Sequence, residues 1–67
     1  MRDPYKVLGV PKNADSDTIK QSYRLLARQL HPDRDPGNPK AEERFKELSA
    51  AYQLLSDPGK RASFDRG

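Results

Sequence analysis

Residues 16–31 read SDTIKQSYRLLARQLH and place Ile19, Tyr23, Leu26, Ala27 and Leu30 on one stripe of a 3.6-residue helix. Residues 39–56 repeat the pattern with Ala41, Phe45, Leu48, Ala51, Tyr52 and Leu55. Neither amphipathic helix is stable alone in water, so the two must bury their stripes against each other. A short connection makes them an antiparallel hairpin. Two shorter segments flank it. PYKVLGV supplies Tyr5, Val7 and Leu8, and PGKRASFD supplies Ala62 and Phe64, which are expected to cover the hairpin ends. No stretch alternates as a strand would, and the chain reads as all-α over a single domain spanning 1–67. The expected helices cover about 4–9, 16–31, 39–56 and 58–65.

The punctuation agrees with these bounds. Asp3-Pro4, Asn38-Pro39 and Asp57-Pro58 each join a good N-cap to a residue whose fixed φ and missing N–H suit the first helical position. Asp15 marks a further start, with its side chain placed to accept from the N–H of Thr18. Pro32 drives His31 out of the α region, and no helix begins again before Asn38. Residues 31–38 are therefore a stiff, ordered loop displaying His31, Asp33, Arg34 and Asp35 at the hairpin tip.

Composition narrows what such a hairpin can do. A chain of 67 residues buries only about 60% of its unfolded surface, so its core is thin. With 33% hydrophobic and 34% charged residues it has no apolar run near the roughly 20 residues of a membrane span. The absence of cysteine removes disulfides and thiolate metal sites, and one histidine with scattered carboxylates is poor material for zinc. No cofactor is expected. MRDPYKVLGV lacks the apolar core of a secretory signal, which makes the cytoplasm the expected compartment.

The net charge of +3 favours an acidic partner, and the excess peaks in residues 16–31, which carry +2. Lys20, Arg24 and Arg28 follow one another at i+4 along the edge opposite the core stripe. Leu25 sits beside them, on the wrong side for the core. In most proteins three such cations are a solvated helix face, and His31 would be a helix C-terminal residue favoured by the dipole, with Asp33 and Asp35 as turn formers. An enzyme would use His31 as base and Asp33 as its orienter. That reading lacks a nucleophile, and a two-helix core leaves little room for a substrate pocket. Rigid display of charge on a loop with little entropy left to lose suits docking instead.

The ordered set of motifs resembles the J-domain of DnaJ-type co-chaperones over residues 3–66. DPYKVLGV is similar to the family's D-Y-Y-x-x-L-G-V opening, and IKQSYRLLARQLHPDR to I-K-x-A-Y-R-x-L-A-x-x-Y-H-P-D. RFKELSAAYQLLSD is similar to F-x-x-I-x-x-A-Y-x-V-L-S-D, and KRASFD to K-R-x-x-Y-D. The resemblance implies a monomeric module that docks on an ATP-bound DnaK-type (heat shock protein 70) chaperone, stimulates its ATP hydrolysis and promotes client capture, while hydrolysing nothing itself. It implies that His31, Pro32 and Asp33 form the activating signature. Lys20, Arg24 and Arg28 would then meet an acidic surface of the ATPase, with Leu25 among them. Lys46 matches a basic position of the third helix, and Lys60-Arg61-Ala62 the K-R-A of the last.

The sequence departs from that pattern at Leu25 and Gln29, commonly basic, at Leu30, commonly aromatic, and at Phe64, commonly tyrosine. The first two thin the cationic surface. They imply weaker and more salt-sensitive docking, unless Leu25 makes an apolar contact of its own. Two other readings compete. A small helical nucleic-acid binder would use the three cations, but the loop carries two acids and lacks the basic loop and exposed aromatics such binders favour. A silent J-like scaffold is argued against by the intact His31-Pro32-Asp33. Neither nucleic acid nor a membrane is an expected partner.

Overall fold

The computed structural model describes residues 3–67; Met1 and Arg2, and the side chain of Pro32, lie outside the described part, so those portions of the expected 1–67 unit and of the signature are not placed. The order is α1 (Pro4–Leu8), α2 (Ser16–Leu30), a 3₁₀ turn (Pro32–Arg34), α3 (Pro39–Ser56) and α4 (Pro58–Asp65). Among the described residues there is no strand.

Each helix starts where its cap dictates. Asp3 accepts from the N–H of Tyr5, Asp15 from Thr18 at 2.8 Å, and Asn38 from Lys40 at 3.0 Å. Asp57 accepts from both Gly59 and Lys60, so a single residue ends α3 and begins α4. Two ends fall one residue earlier than the sequence suggested. α1 stops at Leu8 because Gly9 turns left-handed at φ 68°, which lets Val10 N–H reach the Tyr5 carbonyl at 2.9 Å and tips Val10 into the core. α2 stops at Leu30 because His31, ahead of a proline, adopts ψ 134°.

α2 and α3 pack as the antiparallel hairpin, and α1 lies mainly against α3. The buried residues are Pro4, Tyr5, Leu8, Val10, Ala14, Ile19, Leu48, Ala51 and Leu55, which gathers the core around α1 and the base of the hairpin. Of the α2 stripe only Ile19 is buried; Tyr23, Leu26, Ala27 and Leu30 are half-buried against that core. A two-helix layer has no third element over most of its length, so its stripe stays partly wet. Aromatic contacts carry the remainder. Tyr23 and Tyr52 stack at 4.2 Å and 11°, an arrangement contributing about 1 kcal/mol beyond area burial. His31 meets Phe45 edge to face at 5.5 Å near the loop.

α4 corrects one sequence expectation. Ala62 is exposed, Phe64 is 37% exposed and only leans toward the Tyr5 ring at 6.2 Å, and the helix buries no residue. Polar side chains hold it instead. Arg61 donates through Nη2 to the carbonyls of Ala14 at 2.6 Å and Lys12 at 3.1 Å, and through Nε to the Tyr5 hydroxyl at 3.2 Å. The same hydroxyl donates to Asp65 at 2.6 Å. Burial and that bond to Asp65 push the Tyr5 phenol above its ordinary range. One planar guanidinium thus ties α4 to α1 and to the segment leading into α2. Arg61→Ala leaves two backbone carbonyls and a phenol without their donor, and is expected to cost about 2 kcal/mol in urea denaturation. Arg61→Lys recovers little, because one ammonium cannot span that fork of acceptors.

The Asp15 cap gives a pH signature. Hydrogen bonds from the Thr18 side chain and backbone hold its carboxyl below the usual carboxylate range. A carboxylate lowered in the folded state stabilises fully above its unfolded pKa, and that contribution disappears as pH falls through the lowered value. In thermal melts from neutral pH to pH 2, Asp15→Asn should lose less stability than wild type, with the two curves converging at the acid end.

Candidate docking surface

The site begins where α2 ends. Leu30 is the last helical residue, and His31 then caps the 3₁₀ turn, its Nδ1 accepting from the N–H of Asp33 at 3.2 Å. The same nitrogen lies 3.6 Å from the Asp33 carboxylate, an ion pair whenever the imidazole is protonated. The Asp33 side chain is left 93% exposed. The hydrogen bond within this pair runs from the Asp33 backbone to the imidazole, not between imidazole and carboxylate.

The rest of the loop is tied down on both sides. Arg34 reaches back to the Arg28 carbonyl at 3.3 Å, satisfying an orphan acceptor of the α2 terminus. Asn38 donates to the Asp35 carboxylate at 2.7 Å while its own side-chain oxygen caps α3, and Gly37 at φ 82° makes the turn between them. Asp35 and Arg34 are thereby spent on holding the loop. Asp33 alone remains as an uncommitted charge at its tip.

Lys20, Arg24 and Arg28 stand exposed along α2, with no ion pair among the described residues. Leu25 lies with them, 58% exposed. The structure thus brings the α2 cations, Leu25, His31 and Asp33 onto one helix and the turn that follows it. Lys46 is exposed on α3, and no described contact joins it to that edge. Arg61, unassigned from sequence beyond its K-R-A match, turns inward as the α4 anchor. A lone arginine in a polar octapeptide carries no signal of that role, because its acceptors are backbone carbonyls 47 and 49 residues away.

A shallow groove accompanies these residues. The groove beside the loop, between Leu30, His31, Asp35, Asn38, Ala41 and Arg44, holds about 280 Å³, at the bottom of the range for ligand pockets. Among the described residues no three His, Cys, Asp or Glu side chains gather as metal ligands, and no helix is long and apolar enough to cross a membrane.

The exposed Asp33 carboxylate thus stands in a 3₁₀ turn at the end of a helix edged with cations, in an all-helical fold. The chain belongs to the DnaJ domain family, whose model matches residues 3–65. It is 62% identical over 65 residues to the chaperone protein DnaJ of Bdellovibrio bacteriovorus and 58% identical to that of a Wolbachia from Brugia malayi, in each case across 97% of this chain. It spans only 18% and 17% of those two proteins. The J-Trx1 fragment of ERdj5 superposes with a TM-score of 0.90 at 40% identity, covering 97% of this chain and 32% of that one. The J-domain of human DnaJ subfamily C member 12 gives 0.87 at 34% identity, covering 96% and 57%. The fold is that of a J-domain.

Proposed function

We propose that this domain docks on the ATP-bound form of a DnaK-type heat shock protein 70 chaperone and stimulates its ATP hydrolysis, coupling hydrolysis to client capture. The observation that carries this reading is the loop of His31, Pro32 and Asp33, where Arg34 and Asp35 bond within the protein and the Asp33 carboxylate is left 93% exposed beside His31. Lys20, Arg24 and Arg28 steer the encounter toward an acidic surface and set its orientation, as exposed charges govern on-rate and register more than affinity. Asp33 pairs with a cation of the ATPase once the two surfaces meet. Lys46 contributes to the same positive field from α3. The domain acts as a cytoplasmic monomer, with neither nucleic acid nor membrane as its partner and no cofactor.

Single-turnover ATP hydrolysis by a bacterial DnaK, with and without this domain, tests the reading. Faster hydrolysis with the domain supports it, and an unchanged rate at saturating domain rejects it. Duplex DNA is the control ligand: affinity falling steeply with salt would point to phosphate binding by the three cations instead.

A further inference from the structure

Leu25 and Phe64 are the large hydrophobic residues left exposed among the described residues, and Phe64 leans on the Tyr5 ring. Leu25 has no such neighbour. It lies in a shallow groove of about 230 Å³ whose other walls are Gln21, Arg24 and Arg28. On a helix Gln21 and Arg28, at i−4 and i+3, share the face of Leu25, and Arg24 is its chain neighbour, so two arginines border the leucine in one groove. The surface is an apolar spot with a cationic rim. Asp17, in the first turn, is the only acid on α2, so the helix itself does not neutralise that rim.

Such a patch selects its occupant by chemistry. A second copy of this face would oppose cations to cations. A membrane would gain one leucine, far short of what anchors an interfacial helix. A phosphate backbone would pair with the rim and leave the leucine desolvated against charge. An acidic protein surface with an apolar side chain at its centre satisfies both parts. We propose that Leu25 is the apolar centre of the docking patch and seats an apolar side chain of the ATPase partner, ringed by that partner's carboxylates. This rests on the function proposed above and adds to it a contact that salt does not screen, because ionic strength weakens the cationic rim while leaving apolar burial intact.

The test is binding of ATP-loaded bacterial DnaK across a salt series, alongside the single-turnover assay, with wild type, Leu25→Ala, Leu25→Met and Arg24→Ala. Leu25→Ala should weaken binding roughly tenfold at every salt concentration, giving a line parallel to wild type on a log–log plot. Leu25→Met, which restores length and apolarity, should fall within about threefold of wild type. Arg24→Ala should give a shallower slope. Leu25 is exposed, so the variants fold, which circular dichroism checks. If wild type stimulates hydrolysis but Leu25→Ala binds as wild type does, or if its loss disappears at high salt, the inference is overturned and the function stands. If wild type does not stimulate at all, both fall together.

Discussion

Asp33→Asn should abolish most of the stimulation of a DnaK-type ATPase while leaving the domain as stable as wild type. The substitution keeps the size of the side chain and the backbone N–H that His31 receives, so the turn survives. It removes the one carboxylate of the loop that no other group uses, Asp35 being bound to Asn38. Losing one partner of a charge pair that becomes buried on docking costs about 2 kcal/mol or more, which corresponds to roughly a thirtyfold fall in stimulated rate at subsaturating domain. Stability should change by less than about 0.5 kcal/mol, as expected for a side chain that is 93% exposed. Asp35→Asn is the informative comparison. If both variants lost stimulation equally, charge in the loop at large, and not the free carboxylate of Asp33, would be responsible.

Leu48→Ala should largely unfold the domain. Leu48 is 1% exposed and belongs to the core cluster that α1 and α3 share with Ile19. Replacing it removes buried methyl groups and opens a cavity, at about 3 kcal/mol. A domain of this size has only about 3 to 10 kcal/mol of stability in total. The melting temperature should fall by at least about 12 °C, and all partner binding with it. Leu48→Met, close in volume, should cost less than about 1.5 kcal/mol. A melt for Leu48→Ala within a few degrees of wild type would mean that the thin core matters less than the caps and polar anchors.

These two positions mark different kinds of legibility. Leu48 could be assigned to the core from periodicity alone, because burying one face of an amphipathic helix leaves few choices. The caps were legible for the same reason of locality: Asp3, Asp15, Asn38 and Asp57 each bond an N–H two or three residues away. The stiffness of the loop followed from Pro32, and the basic edge from the i+4 spacing of Lys20, Arg24 and Arg28. The signature His31-Pro32-Asp33 could be recognised as a string, but its internal division of labour could not. That His31 accepts from the Asp33 backbone, that Arg34 caps α2, and that Asp33 alone stays free depend on how the turn closes.

What the sequence determined by itself was therefore everything set within a helical turn or by a repeat along one helix: the order of helices, their starts, the core stripes, the cationic edge and the family. The tertiary structure decided what depends on chain segments meeting across long separations. It drew α1 onto α3, so that burial concentrates at the base of the hairpin and leaves the α2 stripe half-wet. It turned Arg61 inward to acceptors far back along the chain, making α4 a polar attachment where apolar packing by Ala62 and Phe64 was expected. The physical reason is common to both. Local hydrogen bonds and helical periodicity are fixed by neighbours in sequence, whereas burial and the satisfaction of distant carbonyls are properties of the packed whole.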